Sequence, residues 1–406
     1  MTDDSSTPPA SVAVPGSASV PGSVPNSVPA SVPAIMATAT KPRNAFFQST
    51  AGLLGLGFLI FMFVLCLGSL PWTLGSVGEG ETAGLPRYNA GNPRAARLPP
   101  VWWPYREDDI DRSAAAVAAI PERRDAAEVA ASELGLTLDA FLGAREGEAY
   151  ARAREIWPTT FLGTDQLGRS LFVRVLTGGG ISLGIGIAAA LISVGIGTLY
   201  GAAAAYAGGK VDAVMMRIVD VLYGLPYILL VVLIAVAVDG ALEDYVARSG
   251  IDLDAGVRTF IDVVTLLLAI SAVSWLTMAR VIRGQVLSLR GQPFVEAARA
   301  LGASRRRIFF RHLLPNLVGP IAVYATLAVP QAILQESFLS FLGIGVKPPL
   351  PSWGNLAADG LSELNTHRSN WWLLFFPSLL LGVTLLALNF VGEGLREAFD
   401  PRRARR

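Results

Sequence analysis

Apolar positions along this chain come in long unbroken runs, without the three- and four-residue spacing of a soluble amphipathic helix. Six stretches, 51–70, 175–209, 221–238, 263–279, 313–335 and 369–392, are each long enough for a helix that crosses hydrocarbon, which takes about 17–25 residues. No water in the bilayer core can satisfy a free amide, so runs of this kind are predicted to be helices that close their own backbone hydrogen bonds. Between the ends of these six segments the sequence places no Asp, Glu, Lys, Arg or His.

The flanks read differently. In residues 1–40 Ser-Val-Pro recurs with a period of four at Ser19, Ser23, Ser27 and Ser31. Proline at that frequency removes backbone donors, and small side chains offer little to bury, so 1–44 is predicted to be a disordered arm. The first apolar run starts too late and is too long for the core of a signal peptide. The predicted order is then a first span at 45–72, an insert at 73–174, a core of five spans at 175–398 and a basic tail at 399–406. The insert opens irregularly, at Leu98-Pro99-Pro100-Val101-Trp102-Trp103-Pro104. It continues with a helix starting at Pro121-Glu122 and stopping near Gly135, and a second one capped by Thr137 and running to about Glu155. Residues 336–368, rich in Gly and Pro, are expected to form a loop over the outer mouth.

Composition reinforces the membrane reading: 52% of the 406 residues are hydrophobic and 16% charged, where a soluble domain carries about a quarter charged residues. An ordinary cytosolic enzyme is excluded on this ground. The net charge of +1 gives no bias toward nucleic acid. A single cysteine, Cys66, forms no intrachain disulfide, and two histidines cannot build a multi-histidine metal site. Orientation follows from arginine. Arg280, Arg283, Arg290, Arg299, Arg305, Arg306, Arg307 and Arg311 stand against one acid, Glu296, between the fourth and fifth spans. The positive-inside rule puts that connection in the cytoplasm. With six spans, Lys41, Arg43 and the terminal Arg402, Arg403, Arg405 and Arg406 fall on the same side, so both termini are expected inside. The acidic loop 239–259, with Asp239, Glu243, Asp244, Asp252 and Asp254, falls outside.

Spans without charge argue against coupling to a proton gradient. No phosphate-binding Gly-x-x-x-x-Gly-Lys-Ser/Thr loop occurs either, Gly209-Lys210 being followed by Val211. Uphill transport would therefore draw its energy from another polypeptide. The cytoplasmic connection offers a point of contact. Pro293 can start a short helix, Gly302 can end it in the left-handed conformation, and Phe294, Ala297, Ala298 and Leu301 share a face. Ser304 can cap a second helix, from Arg305 to Leu314, that enters the membrane at Pro315.

Glu296-Ala297-Ala298, three residues, Gly302 and then twelve residues to Pro315 resemble the EAA loop of bacterial ABC-importer permeases. The family often has Ile three residues before that proline. Here the position is His312, and Arg311-His312-Leu313-Leu314-Pro315-Asn316 is similar to the variant of the dipeptide/oligopeptide/nickel branch. Four further stretches resemble the C-type subunit of that branch: Leu162 to Arg169, Gly208 to Asp212, Phe338 to Gly354, and Glu393 to Pro401. The likeness extends over 160–402, weakly over 44–72, and leaves out the arm and most of the insert.

The resemblance implies an all-α polytopic membrane protein with six transmembrane helices of the type I (MetI-like) importer fold, with a cytoplasmic coupling helix and an extracytoplasmic insert, in a bacterial inner membrane. It implies no catalysis and no cofactor or metal in this chain, ATP and Mg being held by partner subunits. The implied partners are a second, homologous permease, two ABC ATPases, an extracytoplasmic solute-binding protein and membrane lipid. Coupling to the ATPase would pass through loop 284–315, at Phe294, Glu296, Ala297, Ala298, Leu301, Gly302 and Arg305. Ser271, Ser274, Gln331 and Ser337 are candidates for lining the path. Peptides are the expected cargo. A nickel chelate or other small solute, an ion-coupled carrier and a non-transporting scaffold are the alternatives.

Overall fold

A computed structural model describes residues 47, 49–78, 82–250, 254–364 and 369–399. The proline-rich arm 1–44, His367, Asp252 and the terminal arginines lie outside the described residues. Within them the chain is helical, with isolated bridges in place of strands.

Five helices are long and apolar enough to cross a membrane: α1 (Thr50–Thr73), α6 (Leu171–Ala207), α9 (Ala255–Arg290), α12 (Leu314–Phe341) and α14 (Trp372–Phe399). The expected span 221–238 is not one straight element. α7 (Gly209–Tyr223) and α8 (Tyr227–Ser249) meet at 91° and pass as a sixth span only as a pair. Gly224 and Pro226 account for the break. Proline has no amide hydrogen for the α-helical ladder and disfavours a helical residue before it. Before the bend, α7 carries Lys210, Asp212, Arg217 and Asp220, a content suited to the membrane surface rather than its interior.

The charge-free reading of the spans also needs correction. α12 continues six residues beyond the expected end and carries Glu336, which is fully buried. The carboxylate is tolerated because hydroxyls surround it: Ser340 Oγ donates to Oε1 at 2.8 Å and Ser337 Oγ to Oε2 at 3.2 Å. The expected outer loop is likewise part helix, α13 (Trp353–Ser362), capped by Ser352 and Asn355 in a reciprocal pair. Trp353, with no exposed surface, donates from Nε1 to the Val175 carbonyl and packs against Met62, Cys66, Leu183 and Ile333.

α6 is the central post, and its small residues let neighbours close in. A Cβ on Gly201 would stand 2.2 Å from the Ala279 carbonyl oxygen of α9, and one on Gly186 2.2 Å from Ile333 of α12. Gly179, Gly180 and Gly197 are also too crowded for a Cβ and Gly178 is tight, whereas Gly184 and Gly195 face open space. The insert builds a small core of its own from α2 (Glu107–Ala119), α3 (Pro121–Glu133), α4 (Leu138–Leu142) and α5 (Gly147–Ile156), centred on Val117, Ala127, Phe141 and Trp157. Thr137 does cap a helix, accepting from Ala140 N, but that helix stops at Leu142 and a new one begins at Gly147. α2 was not legible as a helix.

Candidate functional site

Between α9 and α12 the chain forms α10 (Pro293–Ala300) and α11 (Arg305–Ile308). Pro293 sits at the first helical position, where its missing amide hydrogen costs nothing. Gly302, at φ +78°, takes the left-handed conformation, and Gly302 N and Ala303 N return to the Arg299 and Ala298 carbonyls. Ser304 caps α11 by accepting from Arg307 N. Five residues of π-helix, Phe309–Leu313, join α11 to α12, with Leu314 N reaching back to Phe309 O. Pro315 follows directly, and the wider turn carries the chain across the missing donor.

α10 has two faces. Val295 and Ala298 are buried against Ile282, Val286, Ile308 and Leu313, and they hold the helix to the ends of α9 and α12. Glu296, Ala297, Gly302 and Arg305 are exposed, as is Phe294, while Leu301 keeps 88% of its surface open. The shared face expected for Phe294, Ala297, Ala298 and Leu301 is therefore corrected at one position. Ala298 is turned into the fold because it lies on the edge toward Val295, whose burial at the intervening position draws it in. Fully burying a valine contributes about 1.5–3 kcal/mol, so the helix is seated by its inner face and free on the other.

The arginines divide in the same way. Arg283 grips Asp212 of α7 through two bonds, at 2.6 and 2.7 Å, and Arg280 holds Asp220 at 2.8 Å while its guanidinium lies over the Tyr223 ring. Arg290 donates to the Ala205 carbonyl. Arg299, Arg305, Arg306, Arg307 and Arg311 stay exposed around α10. His312 is half-buried, its ring 6.4 Å from Phe294.

Above this platform a cavity of about 550 Å³ opens between α6, the α7–α8 bend, α9 and α12. Ser274 and Gln331 line it; Ser271 and Ser337 do not. Ser271 is buried and back-bonds to Leu267 O, and Ser337 is buried on Glu336. Sequence reading missed Tyr227, Thr277, Tyr324 and Gln335, which also face the cavity. Spacing could have found two of them: Thr277 follows Ser274 by three residues and Gln335 follows Gln331 by four, each on the same helix face. On the side of the insert, Asp165 is a hub. Its Oδ1 accepts from Leu167 N and Arg169 N, and its Oδ2 from Arg169 Nε at 2.7 Å and from Arg174.

An apolar bundle with a seated but outwardly open helix on an arginine-rich face defines a multi-pass membrane component rather than a self-contained enzyme. The model of the family described as "Binding-protein-dependent transport system inner membrane component" matches residues 193–405, more than half the chain, and the chain belongs to that family. It is accordingly a non-catalytic transmembrane permease subunit of an ABC importer. The oligopeptide transport system permease protein OppC of Haemophilus influenzae is 45% identical over 242 residues, 60% of this chain and 70% of that protein. The dipeptide transport system permease protein DppC of Bacillus subtilis is 43% identical over 60% of this chain and 68% of its own length. OppC of Escherichia coli is 46% identical over 60% and 72%.

Proposed function

We propose that this chain forms, with a second related membrane subunit, the path through which an ABC importer moves peptides, and that α10 is where ATPase subunits take hold. The observation that carries the coupling role is the two-sidedness of α10, with Val295 and Ala298 inside and Phe294, Glu296, Ala297, Leu301, Gly302 and Arg305 outside. An exposed Phe at the start of α10 and an exposed Leu at its end offer apolar surface to a partner, and the arginines around them and Glu296 set register through charge. The names of the relatives favour peptides over nickel chelates. With the arginine-rich face in the cytoplasm, both termini lie inside, and the insert lies outside beside a solute-binding protein. ATP and Mg reside in the ATPases. When ATP draws those subunits together, α10 moves with them as a rigid body. Val295 and Ala298 carry the motion to α9, Arg283–Asp212 and Arg280–Asp220 pass it on to α7, and the cavity exchanges its inner opening for an outer one.

Purification of the tagged chain in mild detergent tests the assembly: an ATPase and a second membrane subunit should co-purify, and peptide uptake by cells should survive a protonophore that spares ATP. Uptake abolished by the protonophore, with no ATPase recovered, would contradict the proposal.

A further inference from the structure

The cavity has a chemistry of its own. None of its lining residues carries a charge, yet one wall is rich in amide and hydroxyl groups. Gln335 Oε1 accepts from Tyr227 Oη at 2.6 Å, and Ser274 Oγ, whose shorter bond is to the Ile270 carbonyl at 2.9 Å, lies 3.3 Å away. Its carbonyl is thereby fixed and its NH₂ left to the cavity. One turn away on the same face, Gln331 is exposed, and among the described residues neither its amide nor the Thr277 hydroxyl meets a protein partner. Unsatisfied amides on membrane helices are costly unless something polar meets them.

We infer that Gln331 and Gln335 form a ladder that hydrogen-bonds the main chain of an extended peptide, with Thr277 on the neighbouring helix α9, so that cargo is held by its peptide bonds and not by its side chains. The inference rests on the peptide-import reading. Two features carry it. The Gln331 amide offers a donor and an acceptor, the complement of a peptide group, and Gln335, its carbonyl held by Tyr227, offers a donor. Residues four apart on a helix are separated by about 6 Å along its axis, and an extended chain repeats every two residues at about 6.6 Å. The two amides therefore meet alternate peptide bonds, which point the same way. Tyr223, Tyr227 and Tyr324 supply aromatic surface that accepts side chains of any type. A wall without charge neither demands nor repels a charged residue, and that suits cargo of varied sequence.

The test uses proteoliposomes holding the complete importer, with its binding protein outside and ATP inside. They are offered tetra-alanine and an analogue in which the central amide is an ester, which lacks the N–H donor. The wild type should import the ester about three- to tenfold more slowly, the worth of one hydrogen bond. In Gln331→Leu and in Thr277→Val, with the membrane subunits still co-purifying and ATP hydrolysis still stimulated, tetra-alanine uptake should fall by a similar factor and the difference between the two substrates should shrink toward one. The binding protein is the same throughout, so the change in that ratio reports on this wall alone. An unchanged ratio in both variants would overturn the ladder while leaving peptide import intact. Loss of the second membrane subunit from both variants would also overturn it, because the wall would then be a packing surface. A wild type that imports neither compound would overturn the peptide reading together with the ladder.

Discussion

Gly302 is the residue on which the shape of the segment between α10 and α11 turns. Its φ of +78° lies where a Cβ is penalised, although nothing stands within 4 Å of that Cβ, so the constraint is conformational and not one of space. Gly302→Val should cost about 1–2 kcal/mol locally, the penalty of a left-handed residue with a side chain. The loop would then leave its geometry while the spans stay folded. Transport should drop severalfold at unchanged membrane abundance, measured by peptide uptake against immunoblot; an equal fall in abundance would show a folding defect instead. The glycine stop was legible because a helix ending at Gly before a Ser cap is a local signal. The inward turn of Ala298 was not, since it depends on Val295 finding Ile282 and Val286, which sequence spacing cannot reveal. Glu336 was hidden for a related reason. Its tolerance rests on Ser337 and Ser340 and on how far α12 extends, and hydropathy drops where the structure continues.

At the scale of elements, spans with long uncharged runs were legible because hydropathy alone sets them. The third was misread because Pro226 divides one apolar region between a bend and a helix, leaving amphipathic α7 at 91° to α8. The insert's first helix, α2, escaped notice because its acidic first turn resembles a loop until Val117 and Ile110 find Phe141 and Trp157. How the insert joins the bundle invites a pH test. Arg97, itself at φ 57°, donates from Nε and Nη2 to the two oxygens of Glu363 at 2.8 and 2.9 Å, and Asn370 adds a third bond. The Arg97 guanidinium, helped by Asn370 against the opposing effect of burial, holds the Glu363 carboxyl below the usual carboxylate range. A carboxyl with a lowered folded-state pKa contributes stability that is complete above the ordinary range and is lost as pH falls through the lowered value. Arg97 is partly exposed, so the contribution is about 1 kcal/mol or less. Thermal unfolding of the purified chain in detergent should therefore lose more on acidification in the wild type than in Glu363→Gln; identical pH profiles would remove the tie from the seam.

At the scale of the whole molecule, the chain divides labour. α6, α9 and α12 make the post and the cavity, α7 is tied to α9 by Arg283–Asp212 and Arg280–Asp220, and α10 is, on the proposed reading, where a partner's motion would enter. Fold class and the helix Pro293–Ala300 were readable from the sequence because membrane length and a Pro-to-Gly helix frame are local properties. The lining of the cavity was half readable: Ser274 and Gln331 share a wall with Tyr227 and Gln335 only because three separate helices, α8, α9 and α12, converge. Leu301 gives the most direct test of coupling through α10. It is 88% exposed, so Leu301→Asp should change the stability of the chain by no more than about 0.5 kcal/mol. In proteoliposomes carrying the complete importer, coupling through this helix predicts that Leu301→Asp lowers ATP-driven peptide uptake at least about tenfold, the loss of one buried apolar contact, with the chain inserted at wild-type level. Uptake at the wild-type rate would contradict it.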